Sequence, residues 1–148
     1  MPDDPLVVRT PRKIQKAELR PFIGEVSRRV MRGQTFACLI TDDAELRRLN
    51  KTYRGKNSAT DVLSFPAASA NGFAGDIAIS IDRARKHASE HGHATHDELR
   101  ILILHGALHL RGMDHETDEG QMARAEARWR KTFGLPQSLL ERNREPNK

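Results

Sequence analysis

Three histidines, His105, His109 and His115, have a spacing suited to metal chemistry. His105 and His109 are four residues apart, so on a helix they stand one turn apart on one face, within reach of a single ion. Gly112 tolerates the left-handed turn that ends a helix and reverses the chain, and that reversal can bring His115 back to the same point. Three imidazoles with a fourth position open is a catalytic zinc geometry, because a structural site would be closed. The plainer reading is of ordinary helix and loop histidines. Against it, the chain has 7 histidines in 148 residues, and chance would supply this double spacing only roughly 0.02 times. His105 also follows four aliphatic residues, so its helix is largely buried, where an unpaired imidazole costs free energy.

The reaction is narrowed by what stands beside the histidines. The spacing H-x3-H-x2-G-x2-H also occurs in metzincin proteases, which carry a glutamate directly after the first histidine as general base. Here that position is Gly106, which can neither take nor give a proton. A peptidase reading therefore lacks its base. Asp114 and Glu116 flank His115 and could serve instead, although acids in such a turn are usually just solvated. Phosphodiester cleavage needs an activated oxygen nucleophile and positive charge where the phosphorane charge develops. Zinc can lower the pKa of bound water to about 7, or polarise the phosphoryl oxygen directly. An arginine can hold two phosphate oxygens at once. Arg54 lies with Lys56 in a polar, basic loop, 51–59, that feeds a strand and can wall a cleft. The plain reading of both cations is a solvated turn.

Composition sets the frame around this chemistry. One domain is expected at 148 residues, long enough to bury a core without disulfides. Hydrophobic residues at 37% and charged residues at 30% exclude a membrane protein and an acidic disordered chain. The longest pure aliphatic run is 101–104, far short of a spanning helix. The first residues have neither a basic flank nor an apolar run, so no secretory signal is expected, and a cytoplasmic location follows. The single cysteine, Cys38, sits in an apolar strand and reads as a small core residue. Net charge is +5 and 18 of the 25 cations are arginine, whose planar fork suits phosphate oxygens. Charge of this size is compatible with a nucleic-acid partner without requiring one.

The elements that must position these residues can be read along the chain. Residues 6–9 form a short strand. Residues 13–32 read as helical, with a start or kink near Pro21 and a stop at Gly33. Residues 35–40 are a buried strand, and Asp42 with Glu45 forms a capping box for the next helix. Strands follow at 60–65 and 76–81, then a helix capped by Asp82 to about His91. Thr95 and Glu98 make a second capping box, opening an apolar helix to Arg111. A last helix runs from Thr117 through Phe133, and residues 137–148 read as a flexible tail on a single domain spanning 1–148. The order implies an α+β fold. One mixed sheet of about four strands packs with about five helices, and the metal site lies at the end of a central helix.

At this point the residues carry a resemblance. His105-Gly-x-Leu-His109-Leu-x-Gly-x-Asp-His115, with Thr60-Asp-Val-Leu-Ser-Phe-Pro66 upstream, resembles the YbeY family of bacterial endoribonucleases. Leu49-Asn50, Tyr53-Arg54-Gly-Lys56 and Gly75-Asp76-Ile77 support it in the family's order, across about residues 35–120. The resemblance implies a zinc-dependent endoribonuclease that prefers single strands. Its implied work is ribosomal RNA maturation, chiefly at the 3′ end of the 16S RNA, and ribosome quality control. It further implies one zinc ion on His105, His109 and His115, and Arg54 as the functional arginine of a substrate groove shared with Lys56. Implied partners are single-stranded RNA, ribosomal RNA and ribosomal particles, with a ribosomal protein or a GTPase alongside, and no membrane. The chain departs from the family's usual Lys-Asp-x-Pro-Thr, with Lys56-Asn57-Ser58-Ala59-Thr60 in its place.

Other residues read more plainly. Met122, Trp129 and Phe133 form a helical stripe better suited to a core than to base stacking. Aromatics at 5% leave stacking a minor source of RNA affinity. His87, His91, His93 and His96 sit on a polar helix end and loop, a poor place for a second metal. Two other classes stay open on residues alone. One is a zinc hydrolase acting on a peptide or small molecule. The other is a noncatalytic ribosome-associated factor with structural zinc, which the open three-ligand count disfavours.

Overall fold

The computed structural model describes residues 4–68, 71–137 and 139–140. Its strands are β1 (Leu6–Val8), β2 (Thr35–Thr41), β3 (Val62–Pro66) and β4 (Phe73–Ser80). Its helices are α1 (Lys16–Glu25), α2 (Asp43–Arg54), α3 (Ile81–His91), α4 (Thr95–Leu110) and α5 (Gln121–Phe133). The strands form one sheet in the order β1-β2-β4-β3. β1 pairs parallel with β2, β2 parallel with β4, and β3 antiparallel with β4. The sheet is mixed, as the element order implied.

Alternation along the strands divides the interior. Side chains on a strand point to opposite faces in turn. Leu6 and Val8, then Phe36, Cys38 and Ile40, then Ile77 and Ile79, face the larger core with α1, α4 and α5. Ala78 and Leu63 face the opposite way and, with Leu39 and Phe65, pack beneath Leu46 and Leu49 of α2. The sheet is thus covered on both sides. α4 is buried around nearly its whole circumference, from Leu99 through Leu108, because it lies between the sheet and its neighbouring helices. Each fully buried leucine or isoleucine there is worth about 1.5–3 kcal/mol of transfer free energy. α4 is therefore a rigid base for whatever its last turn carries.

Several boundaries differ from the sequence reading, each for a local reason. The first helix begins at Lys16 instead of Lys13, and continues beyond Glu25 as a π-helical segment, Val26–Val30. α2 runs on through Arg54, so Lys51–Arg54 is helix and not loop; Gly55, with φ 71°, supplies the left-handed stop. The strand read at 60–65 starts at Val62, and the one read at 76–81 starts three residues earlier at Phe73. Ser80, not Asp82, caps α3, its hydroxyl accepting from the Arg83 N–H. The Thr95–Glu98 box does not form. Ala94 is the N-cap, and Glu98 is turned inward to His93. The last helix starts at Gln121, after Asp118 has accepted bonds from the N–H groups of Gly120 and Met122. Leu139 and Leu140, assigned to a tail, pack against the larger core. Residues 141–148 of that tail lie outside the described residues.

Candidate metal centre and cleft

α4 brings His105 and His109 to its last turns, and the chain reverses directly after them. Arg111 closes the helix, and Gly112 takes φ 92°. The Met113 N–H then reaches back to the Leu108 carbonyl at 3.2 Å. Asp114 accepts from the Glu116 N–H at 3.0 Å, tightening the turn that carries His115. The three rings converge, with centroids 4.8 Å apart for His105 and His109, 5.5 Å for His105 and His115, and 5.3 Å for His109 and His115. One nitrogen from each lies within 4.8 Å of the others. These three residues could hold a metal ion.

The donors fit such a group. His115 Nδ1 is buried and has no hydrogen-bond partner, a costly state for a polar atom unless something else satisfies it. Burial, and then the neighbouring His105 and His115, hold the His109 imidazole below its usual pKa. Neutral imidazole is the form that binds a metal. Three nitrogen donors suit zinc and other borderline ions better than calcium or magnesium, which prefer oxygen. His105 is the most enclosed of the three, 4% exposed, and its Nδ1 donates to the carboxylate of Glu126 on α5.

The histidines form one wall of a cavity of about 620 Å³. The same cavity is lined by Arg54 at the end of α2, Thr60 and Asp61 leading into β3, and Ser64 and Pro66 on β3. Ser64 also donates to the Gly106 carbonyl at 3.0 Å, locking β3 to α4. The Gly106 α-carbon is turned to the sheet, where an added Cβ would meet Ile77 Cγ2 at 2.9 Å. The place of a metzincin general base is sterically closed. Asp114 and Glu116 line the same cavity. Arg54 is therefore brought to the site, but Lys56, expected to share the groove, is exposed and is not a lining residue of this cavity. Tyr53, next to Arg54, is 67% exposed, and its ring stands edge-on to Phe65.

The other histidines serve different ends. His93 pairs with the buried Glu98 at 2.7 Å, and His87 lies 3.8 Å from Glu98 and 3.9 Å from Asp61. His91 bonds to the His87 carbonyl, and His96 accepts from the Gln15 N–H. Among the described residues they do not converge as metal donors. Cys38 is fully enclosed, and burial pushes its thiol up to about 12, which leaves it inert. Met122 is core, Trp129 stacks on Phe133, and Phe133 meets Phe22 edge-on. The sequence reading missed Glu126, and it did not foresee that His87 lines the same cavity. Glu126 had a signal, since Met122, Glu126, Trp129 and Phe133 share one helical stripe. An acid within an apolar stripe is a buried acid.

Comparison with known proteins agrees with this geometry. The sequence model of the family described as endoribonuclease YbeY matches residues 9–134. The chain is 49% identical over 134 residues to endoribonuclease YbeY of Solibacter usitatus, covering 90% of each. It is 54% identical over 118 residues to endoribonuclease YbeY of Koribacter versatilis, covering 80% of this chain and 76% of that one. A solution structure from Thermotoga maritima shares the fold, with a TM-score of 0.55 at 21% identity over 97% of this chain and 99% of that one. On this likeness, with the family model spanning residues 9–134, the chain belongs to the YbeY endoribonuclease family.

Proposed function

We propose that this chain is a zinc-dependent endoribonuclease that cleaves single-stranded RNA in ribosomal RNA processing, at the 3′ end of the 16S RNA, and in ribosome quality control. The observation that carries the reading is the convergence of His105, His109 and His115 in a cavity that Arg54 also lines. Support for the substrate class comes from relatives that are named endoribonuclease. The steric closure at Gly106 favours RNA over peptide, because it removes the place of a peptidase base.

In this reading His105, His109 and His115 hold the ion, one zinc per chain. When bound, zinc supplies Lewis-acid stabilisation of charge on the phosphoryl oxygens. Arg54 meets the same phosphate from the α2 side, where its fork can take two oxygens. Residues of α4 and β3, with Leu140, line the same cavity and lower the local dielectric, which strengthens both interactions. Ribosomal particles, with a ribosomal protein or a GTPase, would present the strand in the cytoplasm. Among the described residues no helix is long and apolar enough to cross a membrane.

Purified protein assayed on single-stranded RNA, with and without chelator, tests this proposal. Cleavage should stop with the chelator, return with added zinc, and be missing from His109→Ala prepared in the same way. Cleavage that survives in His109→Ala would mean a contaminating nuclease and sink the assignment.

A further inference from the structure

Among the described residues, Glu126 is the one buried acid that touches the candidate metal centre. It is 1% exposed on α5, among the core residues Met122 and Ala125. A buried carboxylate is costly unless its oxygens are satisfied, and here both are. Oε2 accepts from Nδ1 of His105. Oε1 accepts from the backbone N–H of Leu140 at 3.1 Å. Leu140 is itself buried and, with Leu139, lines the cavity. One carboxylate therefore joins α4 to the 139–140 segment that lines the cleft.

The chemistry of the two bonds gives this a direction. A carboxylate only accepts, so the hydrogen of neutral His105 resides on Nδ1 and the lone pair on Nε2. Supporting carboxylates of this kind fix the tautomer and ring orientation of metal-ligating histidines. We propose that Glu126 is the positioning residue of the metal centre. It holds His105 in the tautomer that leaves Nε2 to ligate, and it couples metal affinity to the seating of the chain at Leu140. The inference rests on the reading of His105, His109 and His115 as metal ligands. It adds that the centre is tuned from the C-terminal side.

Glutamine separates this role from simple packing. An amide has nearly the same shape but only one oxygen, so it cannot accept from both His105 and Leu140. Its NH₂ must face one of the two donors. The test uses nitrogen-detected NMR of the histidines in zinc-free protein and zinc titration against a competing chelator. Wild type, Glu126→Gln and Met122→Ala are compared. Met122 is fully buried on the same helix and controls for a loosened α5.

Wild type should show His105 protonated on Nδ1. Glu126→Gln should show mixed tautomers and bind zinc at least about 10-fold more weakly. Met122→Ala should melt earlier, yet keep the wild-type tautomer and most of the zinc affinity. Leu140→Pro, which lacks the N–H, should bind zinc more weakly than Leu140→Ala, which keeps it. A Glu126→Gln protein with wild-type tautomer and zinc affinity would overturn the proposal while leaving the metal site standing. A wild type that takes up no zinc would instead overturn the metal reading beneath it.

Discussion

Gly106 rests on Ile77: a Cβ built on the glycine would lie 2.9 Å from Ile77 Cγ2 and 3.0 Å from its Cδ1. This contact lets α4 sit close to β4, and so sets the depth at which His105 and His109 meet the cleft. Gly106→Ala trades two effects. Overpacking against a stiff, fully buried isoleucine costs about 1–3 kcal/mol, and alanine returns about 1 kcal/mol of helix propensity over glycine. The balance is a net loss, read as a lowered Tm with weaker zinc binding. An unchanged or raised Tm would show that Ile77 gives way and that the close approach is not required.

Metal content is the plainest expectation. The chain should bind about one zinc through His105, His109 and His115, since their nitrogens converge on one point. Elemental analysis of wild type and of each His→Ala variant measures it. Unchanged zinc in all three variants would rule out the centre.

Arg54 ends α2 with its charge near the helix C-terminus, a favourable place that asks nothing of the core. Arg54→Lys should therefore leave zinc content and Tm near the wild-type values. RNA cleavage should fall, because a lysine ammonium cannot fork two phosphate oxygens. Normal cleavage by this variant would mean that no bidentate contact is made there.

Asp118 gives α5 its start and a pH dependence. The N–H groups of Met122 and Gly120, in that order, hold its carboxyl below the usual carboxylate value of 3.8. A depressed acid stabilises the fold above its unfolded value and loses that contribution as pH falls toward its folded one. Asp118→Asn keeps an acceptor but cannot titrate, so its Tm deficit against wild type should be largest near neutral pH and shrink below about pH 4. A deficit independent of pH would show that the charge contributes nothing.

Much of this was legible in residue order. The alternation in β2 and β4 and the apolar run of α4 carry their own periods, and His105, His109 and Gly112 state the turn at the helix end. What was not legible depended on contacts between distant segments. Glu98 reads locally as half of a capping box, but His93 draws it inward and Ala94 caps instead. Thr117 has the residue type of a cap, yet Asp118 can satisfy two later N–H groups and moves the start to Gln121. Lys56 looked like a partner for Arg54. Directly after the left-handed Gly55, it is exposed and does not line the cavity.

The way RNA is held follows from charge and shape. Tyr53 is the one large aromatic among the described residues with most of its surface free, so stacking can engage few bases. The net charge of +5 must supply most of the affinity, and affinity built on phosphate contacts falls steeply with salt. Between the end of α2 and the turn at His115, a single strand can bend its backbone toward the imidazoles. A stiff duplex cannot bend in this way, and no base-reading module is present among the described elements. Cleavage should accordingly follow strand accessibility more than base identity. The measurement compares one sequence as a free strand and as a duplex across a salt series. The free strand should be cut faster at every salt, and binding should weaken as salt rises. Equal cutting of the duplex, or binding indifferent to salt, would mean that RNA is not held in this cleft by its phosphates.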